Sequence, residues 1–179
     1  MQTDRTDQTL LTSMPPVVDP RTKWLILGSM PGGRSLAMQQ YYAHPRNQFW
    51  PIMGKLCGFD PECDYQERIK LLRSHGIGLW DSIYQCVRKG SLDSAIRPES
   101  ITPNDFVKLA ANLPKLQLVS FNGAASHKTF TRFVGKIPVT PEPAYLRLPS
   151  TSPANASLSF TQKLEAWQQA WAMIKAATK

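Results

Sequence analysis

Lys23-Trp-Leu-Ile-Leu27 runs directly into Gly28-Ser-Met-Pro-Gly-Gly33. Trp24 to Leu27 is unbroken in apolar character and closed by glycine, which predicts a short buried strand rather than an amphipathic surface element. A strand covered on both faces belongs to a parallel sheet, so the glycine-rich loop after it falls at the carboxyl edge, where open α/β sheets bind ligands. The rest of the chain alternates in the same way. Asp64-Tyr-Gln-Glu67 reads as a capping box for a helix through Ile69, Leu71 and Leu72 that Gly76 closes. Ile77 to Tyr84 reads as the next strand. Thr102-Pro103 reads as the start of a helix to about Asn112. Leu116 to Phe121 is a third strand, Gly123 to Phe133 a helix, and Ala144 to Leu148 a fourth strand. Thr161 would cap a last helix with Leu164, Trp167, Trp171 and Ile174 on one face. This order predicts an α/β three-layer sandwich, with a mostly parallel four-stranded sheet between helices.

The bulk numbers agree with one domain. The chain has 179 residues, 42% hydrophobic and 19% charged, with no repeat. Residues 1–20 are polar and proline-bearing and read as a flexible arm before a single domain at 21–179. The formal charge of +8 favours a polyanionic partner. Three cysteines, with no CxxC pair, argue against a disulfide framework, a structural zinc or an iron–sulfur cluster. Asp4, Arg5 and Asp7 stand where a signal peptide needs an apolar run, and no window reaches the length of a membrane span. A cytoplasmic protein without a membrane role is the expectation.

Three loops fall at the carboxyl edge, at 28–34, 81–90 and 149–157. The first lacks the Walker spacing, its Lys-Ser/Thr pair and the dinucleotide fingerprint, so no nucleotide cofactor is expected. Tyr41-Tyr-Ala-His-Pro-Arg-Asn-Gln-Phe-Trp50 is the most specific segment. Core packing explains Phe49 and Trp50 but not Asn47 beside Arg46. The third loop, Leu148-Pro-Ser-Thr-Ser-Pro-Ala-Asn155, offers small hydroxyl side chains that can donate to phosphate. His75 and His127 read as surface or capping residues, and no cluster has metal-ligand spacing.

Taken together, these segments resemble the uracil-DNA glycosylase superfamily over roughly residues 23 to 175. Gly28 to Gly32 is similar to its first motif. Tyr41 to Trp50 is similar to the segment shared by mismatch-specific uracil glycosylases and the hypoxanthine branch. Leu148-Pro-Ser150 and its continuation are similar to the second motif. Gly78 to Ser82 and Ser120 to Gly123 match strand ends of the hypoxanthine branch.

The resemblance implies DNA carrying a deaminated base as partner and a monofunctional hydrolase, since no lysine occupies a position suited to Schiff-base chemistry. It needs no cofactor and is expected to act as a monomer. It implies contacts to the base from Ser29, Met30, Tyr42 and Asp81, with Tyr42 as the stacking platform. It implies DNA contacts from Gly32, His44, Arg46, Pro149, Ser150, Thr151 and Ser152. Arg34 and Arg147 are further candidates for the backbone, and a structural hydrogen bond is the expected role of His44.

One position departs from most relatives. Where they carry Asp or Asn to position the attacking water, this chain has Met30, which cannot orient water by a strong hydrogen bond. The hypoxanthine branch shares that lack and is thought to use the Asn of its His-Pro-Arg-Asn motif, which points to Asn47 as the catalytic residue. Hypoxanthine with uracil as a second substrate is the leading expectation. A mismatch-specific uracil/thymine glycosylase and a non-catalytic DNA-binding protein on the same fold are the alternatives.

Overall fold

A computed structural model describes residues 9–176. Its elements in chain order are β1 (Leu10–Thr12), β2 (Trp24–Gly28), α1 (Gly33–Met38), α2 (Phe49–Cys57), α3 (Tyr65–Ser74), β3 (Ile77–Asp81), β4 (Ile83–Val87), β5 (Thr102–Pro103), α4 (Phe106–Ala110), β6 (Leu118–Asn122), α5 (Ala124–Phe133), β7 (Ala144–Leu148) and α6 (Phe160–Ala176). The main sheet has the order β3-β2-β6-β7 and is parallel throughout.

β2 lies inside this sheet, and all five of its residues are buried. Its side chains alternate between two cores, as a pleated strand requires. Trp24 and Ile26 pack with Phe49, Ile52, Met53, Leu72 and Trp167 from α2, α3 and α6. Leu25 and Leu27 pack with Phe106, Leu109 and Phe130 from α4 and α5. Helices therefore cover both faces, giving the expected three layers. The buried Ser120 in β6 is satisfied by the Trp24 indole N–H at 2.8 Å.

The structure corrects five local expectations. Asp64 precedes α3 without the side-chain hydrogen bond of a capping box. Residues 10–20 are not a flexible arm. β1 pairs antiparallel with β4, Val17 bridges Leu79, and the Trp80 indole N–H donates to the Met14 carbonyl at 3.1 Å. Residues 1–8 of the arm lie outside the described residues. The single strand expected over Ile77–Tyr84 is two strands, because the chain breaks from the main sheet at the buried Ser82 and enters a second sheet of order β1-β4-β5. Thr102-Pro103 belongs to that second sheet, and α4 starts later, where Asp105 accepts from the Lys108 N–H at 2.9 Å.

Thr161 does not cap α6. Ser159 does, accepting from the Gln162 N–H at 3.2 Å while the Gln162 amide accepts from the Ser159 N–H at 2.9 Å, a reciprocal pair that satisfies two exposed donors. The buried face of α6 is Lys163, Trp167, Ala170 and Ile174, with Leu164 and Trp171 at its margin.

Candidate functional site

The carboxyl ends of β2, β3 and β6 open into one cavity of about 450 Å³. Gly28–Arg34, Tyr42, His44, Arg46, Asn47, Asp81, Asn122 and Ser150–Ala154 are among the residues that line it. Segments far apart in the sequence meet there because parallel strands deliver their following loops to one edge. Of the residues expected to contact base or DNA, all but Arg147 and Pro149 line this cavity. The Pro149 carbonyl instead accepts from the Trp167 indole N–H at 3.1 Å. Arg147 lies on β7 away from the cavity lining, whereas Arg34 and Arg46 belong to it.

Asp81 ends β3 and is buried beside Gly28. A Cβ added at Gly28 would lie 2.6 Å from Asp81 Oδ1, so only glycine lets the carboxyl lie against the strand. Oδ2 is buried and makes no hydrogen bond among the described residues. Burial, then the negative charge of Asp93, push the Asp81 pKa up to about 8, with Arg88 opposing them. The group is therefore mostly neutral at pH 7. A neutral carboxyl both accepts and donates, which the anion cannot.

Asn47 is half-buried. Its Oδ1 accepts from the Phe49 N–H at 2.9 Å, at the start of α2. Since only the oxygen can accept, this bond fixes the amide orientation and leaves Nδ2 on the other side, with no hydrogen bond to protein among the described residues. His44 has the structural role expected of it, with Nδ1 accepting from the Arg46 N–H at 3.1 Å.

Tyr42 adopts φ 56°, a left-handed conformation that costs a bulky residue about 1–3 kcal/mol and concentrates at functional sites. Its ring stacks on Phe49 at 4.0 Å between centroids, so one face is already covered and only the other remains for a base. Its hydroxyl is buried near the Asn122 side chain, with no well-formed hydrogen bond among the described residues, and burial raises its pKa well beyond the ordinary phenol range.

Met30 sits in a small buried cluster with Ile83 and Cys86 and anchors its loop there. Ser29 donates to Asp93 Oδ1 at 2.6 Å. Thr151 is fully buried. Its hydroxyl accepts from the Asn122 amide N–H and its own N–H donates to Asn122 Oδ1, both at 2.9 Å. Its carbonyl accepts from the Gln48 N–H at 3.0 Å, so Thr151 joins β6, the third loop and the Asn47 segment. The buried Lys163 Nζ donates to the Asn155 carbonyl at 2.7 Å, and with the Trp167 bond it fixes both ends of that loop to α6.

Sequence reasoning missed Asn122, Asp93, Ser91 and Arg88. Asn122 ends the Ser120–Gly123 segment and is reached by following that strand into its loop. Arg88 lies in the segment 81–90 expected as a loop at the carboxyl edge, which is instead largely strand β4, and Ser91 and Asp93 carry no local signal.

Gly123 follows β6 at φ 99°, and a Cβ there would lie 2.9 Å from the Ser150 Cβ. Gly123→Ala is expected to destabilise the protein by about 2–3 kcal/mol, through strain plus a clash that displaces the third loop. That corresponds to a Tm lower by roughly 5–10 °C. Calorimetry showing no loss would contradict this close approach.

The chain is thus an α/β sandwich whose parallel sheet opens at its carboxyl edge into a cavity walled by a buried carboxyl and rimmed by the exposed Arg34 and Arg46. The model of the uracil DNA glycosylase superfamily matches residues 15–175, and the chain belongs to that superfamily of DNA glycosylases. It is similar to two proteins named hypoxanthine DNA glycosylase. One, from Methanosarcina acetivorans, is 38% identical over 86% of this chain and 93% of that protein. The other, from Methanosarcina barkeri, is 44% identical over 63% of this chain and 70% of that protein. A solution NMR structure from Methanosarcina acetivorans, described as a candidate uracil DNA glycosylase, superposes with a TM-score of 0.75. It is 34% identical and covers 93% of this chain and 99% of that one.

Proposed function

We propose that this chain is a monofunctional glycosylase that takes a deaminated base out of the DNA stack and hydrolyses its N-glycosidic bond, with hypoxanthine the favoured base and uracil a second substrate. The observation that carries the base class is Asp81, a buried carboxyl with one unpaired oxygen in the wall of the cavity. In its neutral form it accepts from a ring N–H and donates to the adjacent carbonyl. Hypoxanthine and uracil both present that pair. The identity to two relatives named for hypoxanthine supports the order of preference. A neutral carboxyl also fits the edge of adenine. Selection against adenine then comes from the lower cost of extruding a mispaired base.

The base stacks on the open face of Tyr42, and Arg34 and Arg46 hold the flanking phosphates. The C1′–N bond breaks with both electrons leaving on the base, and the sugar carries the matching positive charge. Asn47 holds a water that then bonds to C1′ and gives its proton to solvent or to the departed base. An amide positions water but is no strong base, which suits a reaction in which departure runs ahead of attack.

Duplexes carrying hypoxanthine, uracil, xanthine or a G:T mismatch test the proposal directly. Strand breaks are expected only after alkali, fastest for hypoxanthine and slower for uracil. Release of uracil or thymine alone would sink the hypoxanthine assignment. Breaks without alkali would sink the monofunctional one.

A further inference from the structure

Arg88 stands just past β4 and is only 5% exposed. Its Nη1 donates to the Met30 carbonyl at 3.2 Å, its Nη2 to the Pro31 carbonyl at 2.5 Å, and its Nε to the Gly90 carbonyl at 3.0 Å. Among the described residues no carboxylate lies within ion-pair distance of it. A guanidinium withdrawn from water with only carbonyls for partners carries a large desolvation cost. Burial lowers its pKa, yet an arginine stays charged at neutral pH. A hydrophobic side chain would fill the space at less cost, so the charge calls for a functional account.

The carbonyls of Gly28 to Pro31 are held from the side of β4 and α5, whereas that of Gly32 turns into α1 and accepts from the Leu36 N–H at 3.0 Å. That of Gly28 accepts from the Ser82 N–H at 2.8 Å and from the Ser126 hydroxyl at 2.9 Å. That of Ser29 accepts from the Ile83 N–H at 3.0 Å. Those of Met30 and Pro31 are held by Arg88. In a trans peptide the N–H points opposite to the carbonyl of the preceding residue. The N–H groups of Ser29, Met30 and Gly32 therefore face the other side of the loop, where these residues line the cavity. Met30 and Pro31 lack a strand neighbour for their carbonyls, so Arg88 is what fixes that half of the loop. It also places a positive charge behind the row of donors.

We infer that Arg88 is the positioning residue for leaving-group stabilisation: it locks the first loop with its N–H groups toward the departing base, and its buried charge strengthens them. The inference rests on the glycosylase reading. When the C1′–N bond breaks, the electron pair goes to the base. Donors fixed in advance lower the energy of that anion without reorganising. Asp93 is the opposing charge in the same wall. It is bonded to Ser29 rather than to Arg88, so the guanidinium is not neutralised by contact.

The test varies the leaving group. Single-turnover cleavage is measured on duplexes carrying deoxyinosine or its 8-aza analogue, in which nitrogen replaces C8–H. The electron-poor ring departs more readily and needs less help from the loop. Arg88→Met is expected to slow deoxyinosine cleavage by about 10²-fold, the scale of losing a fixed donor to developing negative charge. It is expected to slow the 8-aza substrate by about tenfold or less. Arg88→Lys keeps the charge without the planar fork and should fall between wild type and Arg88→Met on both substrates. Equal losses on the two substrates would show that Arg88 only holds the fold together and would overturn the inference. If Arg88→Met does not fold, the same ratio in Arg88→Lys decides. A wild-type protein that releases neither base would instead overturn the glycosylase reading, and this inference with it.

Discussion

Asn47→Ala is expected to reduce single-turnover release of hypoxanthine by about 10²-fold or more, the scale of removing a positioned polar group from a proton-transfer or water-orienting role. Duplex binding should be nearly unchanged, because the phosphate contacts lie on other residues. The same substitution also removes the oxygen that accepts from Phe49 at the head of α2. Loss of such a contact costs about 1 kcal/mol, or roughly 3 °C in Tm for a chain of this size. The two roles are separable by Asn47→Asp. A carboxylate keeps the acceptor for the Phe49 N–H and can still hold water, so both Tm and cleavage should stay near wild type, within about tenfold for the rate. A rate in Asn47→Ala within twofold of wild type would remove Asn47 from the chemistry, leaving it a helix-capping residue.

What the sequence discloses and what it hides follow from the range of the interactions. Trp24–Gly28 is legible because an apolar run closed by glycine is a local pattern, and the position of the site follows from that strand and its parallel neighbours. β1 is hidden because Leu10–Thr12 has no pattern of its own and exists only by pairing with β4. Thr102-Pro103 carries the same local signal at the start of a helix and in an edge strand, and pairing to β4 decides between them. In the site, Asn47 is legible because core packing does not account for it. Thr151 reads from sequence as a hydroxyl for phosphate, and its burial against Asn122 comes from a fold-level convergence of two loops. Arg88 is the least legible. A lone arginine in a +8 chain reads as a surface charge, and only the folded chain shows that it braces the loop 57 residues earlier.

Asp81 gives the second large effect, and its sign follows from the direction of the shift. Its folded pKa, about 8, lies above the ordinary carboxylate value, so the native state holds a proton that the unfolded chain releases. Stability therefore falls as pH rises from near 4 to about 8 and is flat beyond. Activity follows the same proton in another window. The neutral carboxyl donates to the base carbonyl, whereas the anion repels both that carbonyl and the departing base. kcat/KM for hypoxanthine release should hold up to about pH 8 and then drop roughly tenfold per pH unit. The N1–H of deoxyinosine also ionises in alkali, so the decisive comparison is Asp81→Asn. The amide is neutral at every pH, offers one donor and one acceptor toward the base, and matches the volume beside Gly28. Its profile should lose the limb near pH 8 and keep only the substrate's own. Its Tm should exceed that of wild type at pH 8 by an amount that shrinks toward pH 4. An unchanged alkaline limb in Asp81→Asn would show that the proton governing catalysis sits elsewhere, and the assignment of Asp81 as the group that reads the base would fall with it.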